Sequence, residues 1–118
     1  MDIEEVTLQR IEMIQTENPD LSTKYDLEED EQDEWCIITI LDDNDRVLGY
    51  EFVETFESWK RKDALLHYNE MAKEGFRVTV VVPDRVFEKV ADMLDDDGDP
   101  NVELFSYTDL GVEVRRNN

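Results

Sequence analysis

Apolar positions along the chain fall into alternating helical and strand-like periods. Ile3, Val6, Ile11 and Ile14 recur at helical spacing, with Leu8 and Met13 widening the stripe, and predict a helix over residues 3–17. Asn18-Pro19 ends it, because a proline pushes the residue before it out of the helical region. Thr23 to Leu27 alternate weakly, as an edge strand does. "WCIITIL", 35–41, is a short β-branched run bounded by acids and predicts a central strand. "DDND" at 42–45 has turn chemistry, and "VLGYEFVETF" at 47–56 returns as the second arm of a hairpin. Ala64, Leu65, Tyr68, Met71 and Ala72 share one face of a helix expected over 57–74, with Gly75 at its C-cap. "FRVTVVVP", 76–83, is a buried strand. Val86, Phe87, Val90, Ala91 and Leu94 mark a helix over 84–94. "DDDGDPN", 95–101, is expected as a loop and "VELFSY", 102–107, as a last strand. The tail over 111–118 is expected to fray.

The order of elements is helix, edge strand, hairpin, helix, strand, helix, strand. Strands joined through helices pair in parallel, whereas the front of the chain is an antiparallel hairpin. The expectation is a single α/β domain over 1–118, with a mixed sheet of four or five strands and about three packed helices.

Composition adds the surface. The chain has 118 residues, 40% hydrophobic and 37% charged, with a net charge of −20. That suits one core under a dense acidic surface. Such a charge repels phosphates, so broad nucleic-acid binding and docking on anionic lipid are both disfavoured. It favours a protein partner with a basic surface, cation attraction, or hydration in a salt-rich cytoplasm. Residues 20–34 carry eight acids and one lysine, and the run over 26–34 is expected as an acidic loop, since neighbouring like charges repel and seek water. No secretory leader is recognisable in the opening residues, and no apolar run approaches the roughly 20 residues a membrane helix needs. Cys36 is the only cysteine, so an internal disulfide is impossible. The expectation is a cytoplasmic protein.

The candidate chemistry lies in "YEFVETFESWKRKD", 50–63. Glu51 and Glu54 sit near the end of one strand, Asp42, Asp43 and Asp45 in the preceding turn, and Lys60, Arg61 and Lys62 early in the following helix. Carboxylates converging beside a lysine can hold a divalent ion and activate water. Two cations in a helix's first turn oppose its dipole, which implies carboxylate partners or a role. The plainer interpretation is a surface salt-bridge patch.

The helix–strand–strand–strand–helix–strand order over roughly residues 3–83 resembles the core of the PD-(D/E)XK, restriction-endonuclease-like superfamily. That resemblance implies a nuclease fold in which Asp42 or Asp43 is the first acid and Glu51 the second. The lysine position is occupied by Val53, so the motif reads Glu51-Phe52-Val53, and Lys60 or Lys62 would have to stand in from the helix. Metal candidates are then Asp42, Asp43, Glu51 and Glu54, the ion Mg²⁺ or Mn²⁺, and the catalytic candidates Glu51 and Lys60. Outside that reading no cofactor is implied.

Other features carry less. "DDDGDPN" fails the calcium-loop pattern, because placing Gly98 sixth puts Met93 and Leu104 at ligand positions. His67 has no second histidine or cysteine at ligand spacing. Cys36, within an apolar strand, suits a buried inert thiol. No phosphate-binding glycine loop is present. Trp35 and Trp59 suit packing at the core's edge. Three functions remain: a non-catalytic acidic interaction protein, foremost; a metal-dependent nuclease; and an inhibitor that mimics the charge of DNA.

Overall fold

A computed structural model describes residues 1–114. The chain is a mixed α/β domain with a five-stranded sheet in the order β1-β2-β3-β4-β5 and three α-helices. Helix α1 spans Ile3–Glu17, followed by β1 (Ser22–Glu29), β2 (Glu34–Leu41) and β3 (Val47–Val53). Helix α2 (Ala64–Lys73), β4 (Arg77–Val82), α3 (Phe87–Asp97) and β5 (Val102–Ser106) complete it. The first three strands pair antiparallel and the last three in parallel, so spatial order equals chain order.

Each face of the sheet has its own core, because side chains alternate along a strand. Cys36, Ile38, Val53 and Val81 pack with Ile3, Val6 and Ile14 of α1. Phe52, Val78, Val80 and Val82 pack with Tyr68 and Ala72 of α2 and Val90 of α3. Strand β4 is sealed on both sides, which accounts for its run of β-branched residues, Val78, Thr79 and Val80 to Val82. The β3–β4 approach is close at Gly49, where a Cβ would lie 2.5 Å from the Arg77 carbonyl oxygen.

Helix α1 has the expected bounds. The Asp2 carboxylate caps it, accepting from the Glu4 and Glu5 amides at 3.1 and 3.3 Å. Its inner stripe differs from expectation: Leu8 is exposed, and Thr7 is buried instead.

Four local expectations are corrected. The acidic segment 26–34 is not all loop, since β1 runs to Glu29 and β2 starts at Glu34, leaving a turn at 30–33. Glu28 and Glu29 stay in water while their backbones pair with Trp35 and Glu34, so charge does not oppose the strand. The helix expected from residue 57 begins at Ala64. Before it, a 3-10 turn at Ser58–Lys60 is fixed by reciprocal bonds, Thr55 amide to Ser58 Oγ at 2.8 Å and Ser58 amide to Thr55 Oγ1 at 3.2 Å. Asp95, Asp96 and Asp97 are helical, and Gly98 donates its amide to the Leu94 carbonyl at 2.8 Å where α3 ends. Finally, the expected fraying from 111 does not hold for residues 111–114: Val112 is buried, and Glu113 exchanges two hydrogen bonds with the Gln9 side chain. Residues 115–118 of that expectation lie outside the described residues.

Candidate functional site

The structure divides the candidate cluster into separate places. Glu51 and Glu54 are an odd number of residues apart on an extended segment, so their side chains leave opposite faces of the sheet.

Glu51 points to the α1 face. It accepts a two-point contact from Arg10, Nε to Oε2 and Nη2 to Oε1, both at 2.8 Å. This fork-to-fork geometry is the strong form of the ion pair. Both side chains are largely buried, at 5% and 14% exposure. Burial works to lower the Arg10 pKa, but the hydrogen bond and charge of Glu51 outweigh it, and the guanidinium is held above its ordinary value. The pair floors a cavity of about 240 Å³, bordered by Ile14, Glu17, Arg77 and Thr79.

Glu54 points to the α2 face just beyond β3, where its amide donates to the Val81 carbonyl at 2.9 Å. Its side chain is fully buried. Oε1 accepts from Ser58 Oγ at 2.7 Å and from Arg61 at 2.5 Å, and Oε2 accepts from the Tyr68 hydroxyl. The Tyr107 hydroxyl donates to the Glu54 backbone carbonyl. Arg61 is extended (φ −57°, ψ 147°), which ends the 3-10 turn and directs its guanidinium back to the carboxylate. The guanidinium also stacks on Trp35, 3.8 Å from the ring centroid, and its Nη2 is buried with no hydrogen-bond partner. Burial first, and then the Glu54 charge, pushes the Tyr68 hydroxyl well above its ordinary pKa and moves Tyr107 the same way.

Asp42 and Asp43 lie elsewhere. The Asp42 carboxylate closes the β2–β3 turn, accepting from the Asn44 and Arg46 amides at 2.8 and 2.9 Å. The Arg46 amide above all, against some desolvation, holds the Asp42 carboxyl below its ordinary value. This turn meets the start of β3, whereas Glu54 follows its end. Six residue steps of strand separate them by roughly 20 Å. Lys60 is exposed and paired with Glu57 at 2.8 Å, away from Glu51 on the other face. Lys60 and Arg61 therefore precede α2 and do not oppose its dipole. Glu51, Glu54, Asp42, Asp43 and Lys60 are not brought together, and among the described residues no group of three or more His, Cys, Asp or Glu side chains is placed to hold a metal ion.

The sequence did not single out Arg10. The signal was present: Ile3, Val6, Thr7, Arg10 and Ile14 lie at three- and four-residue steps, so a cation interrupts a buried stripe and needs a partner. Also missed was the approach of the 30–33 turn to residues 57–62. In an antiparallel pair the start of β2 meets the end of β3, so Asp30 and Asp33, not Asp42, come near this end of the sheet. An open cleft of about 420 Å³ lies between them, lined by Asp30, Asp33, Glu57, Lys60, Arg61 and Lys62. Burial, then the charges of Asp30 and Glu57, raises the Asp33 pKa. His67 packs edge-on against Phe52, and Cys36 is buried with its thiol pushed up by desolvation.

Comparison with family models, curated proteins and solved structures returns no match for this chain.

Proposed function

We propose that this chain is a non-catalytic acidic interaction protein whose partner presents a basic surface. The observation that supports this most is the disposition of its acids. Glu51 and Glu54, the strongest chemical candidates, are neutralised by Arg10 and Arg61 inside the fold. In contrast, Glu28, Glu29, Asp30 and Glu31 stand exposed in sequence along the end of β1 and its turn. A ridge of this kind attracts cations at range and selects partners by charge. A cytoplasmic setting accords with the single free, buried cysteine. The order of elements, one helix, three antiparallel strands, a helix and a parallel strand, also fits a nuclease-like scaffold without its lysine, and we propose that ancestry for the fold alone.

Titration with a lysine decamer at low salt tests the function. Saturable binding that shifts the amide resonances of residues 28–31 and weakens as salt rises is expected. No binding at low salt overturns the reading. So does Mg²⁺-dependent DNA hydrolysis that disappears in Glu51→Gln.

A further inference from the structure

Strand β1 forms one edge of the sheet, and its outer side has no partner among the described residues. It pairs with β2 over its whole length without a register shift, and it contains no proline. Such an edge offers a row of backbone donors and acceptors to another strand. Apolar groups lie along it. Leu27 on β1 is 47% exposed and Leu8 on α1 is 48% exposed. Leu8 sits between Glu4, which accepts from the Tyr25 hydroxyl at 3.1 Å, and Gln15, which donates to Thr23 Oγ1 at 3.2 Å. Positions 4, 8 and 15 share a helix face, so Leu8 overhangs the β1 edge on the side of Tyr25 and Leu27.

We propose that this edge pairs with the β1 edge of a second copy of the chain, antiparallel about a two-fold axis at Tyr25, to make a continuous ten-stranded sheet. The charge pattern selects the occupant and the register. Directly opposed residues in an antiparallel pair share a face, so the two-fold must place a residue against its own copy. With Tyr25 opposite its counterpart, Lys24 faces the partner copy's Asp26 twice, Thr23 faces Leu27, and Ser22 faces Glu28. Opposite charges meet and no like charges do. Centring on Asp26 instead opposes two aspartates, centring on Lys24 opposes two lysines, and centring on Leu27 sets Asp26 against Glu28. A two-fold at Thr23 also avoids like charges but opposes only three residues of each β1. Among registers that oppose five or more, only the Tyr25 register is free of like-charge pairs, and it brings the exposed Leu8 of each copy toward the shared edge.

The net charge of −20 on each copy fixes the salt dependence. Repulsion between the two bodies is screened by salt, while strand pairing and apolar contact are not, so the dimer tightens as salt rises. Binding of a basic partner has the opposite salt dependence, which separates the two.

Sedimentation equilibrium on the full chain at low and high salt, with hydrogen exchange on β1, tests the proposal. Lys24 and Asp26 are exposed, so exchanging them leaves the monomer intact. The expected result is a dimer that strengthens with salt and protects the outward amides of residues 22–28. Lys24→Asp should weaken association by roughly tenfold or more, since it sets carboxylates opposite one another in both pairs. Adding Asp26→Lys should restore it. A chain that stays monomeric at high salt and millimolar concentration overturns the proposal. So does a dimer indifferent to Lys24→Asp, or one whose β1 amides exchange freely. A monomer whose β1 amides become protected only on adding the lysine decamer assigns the edge to a basic partner instead and equally overturns it.

Discussion

Truncating Glu54 removes the centre of the only wholly enclosed polar cluster among the described residues that joins β3, the 3-10 turn and α2. Glu54 is 0% exposed and Arg61 retains 9% side-chain exposure, so little water can replace either partner. At an effective dielectric of about 20, charge centres about 4 Å apart attract by about 4 kcal/mol. Removing one member of a buried pair costs about 3–5 kcal/mol, mostly because the other charge is stranded. Ser58 and Tyr68 lose a charged acceptor in the same step, at about 1–3 kcal/mol each in isolation, but members of one cluster do not add. Glu54→Ala should therefore cost at least about 3 kcal/mol, a large share of the roughly 5–15 kcal/mol available to a domain. Glu54→Gln keeps shape and one acceptor, and should cost about 1–3 kcal/mol. Urea unfolding followed by circular dichroism measures each, with Arg61→Met completing a double-mutant cycle. The paired change Glu54→Gln with Arg61→Met should cost less than the sum of the single changes by about 1 kcal/mol or more. A Glu54→Ala cost below about 1 kcal/mol, or a cycle with no coupling, would refute the cluster's structural role.

Three further outcomes follow from named contacts. Gly49→Ala places a Cβ 2.5 Å from a backbone carbonyl that cannot move without separating β3 from β4, and should cost about 1–3 kcal/mol in the same unfolding assay. Cys36, fully buried and with its thiol pKa raised, should react with a disulfide reagent only at the rate of unfolding, and fast labelling of native protein would contradict its burial. Tyr68 and Tyr107 have folded pKa values raised above those of the unfolded chain, so their contribution is complete below pH ~10 and is lost as pH rises toward the folded values. An alkaline titration should show their tyrosinate absorbance appearing together with loss of secondary structure, and ionisation in folded protein would show the hydroxyls to be exposed.

The sheet and helices were legible because their residues repeat at the right periods. Ile3 to Ile14 and Ala64 to Ala72 each leave a stripe that only a helix can bury, and the β-branched residues 78–82, all valine but Thr79, leave a run only an enclosed strand needs. The candidate site was less legible because it turned on parity and direction. Glu51 and Glu54 look adjacent in sequence, but three residues of strand reverse the face. Asp42 looks near Glu51, but a hairpin turn belongs to the start of its second strand, and Glu54 follows that strand's end. Arg10 was readable as a cation inside an apolar stripe; its partner was not, since nothing local points from residue 10 to residue 51. Residues 57–63 carry helix-forming side chains, yet the Thr55–Ser58 exchange and the pull of Glu54 on Arg61 outweigh propensity there. The acidic strand end at Glu28 and Glu29 was hidden by composition, which reports charge but not that both side chains reach water from a paired backbone.

A Mn²⁺ titration followed by amide line broadening, with Mg²⁺ as competitor, tests most directly whether the acids act structurally and by surface charge. Buried pairing of Glu51 with Arg10 and Glu54 with Arg61 predicts weak, diffuse broadening centred on residues 26–34, with Glu51 and Glu54 untouched. Saturable broadening confined to Asp42, Asp43, Glu51 and Glu54, and reversed by Mg²⁺, would mean that these carboxylates converge on one ion and would contradict the account.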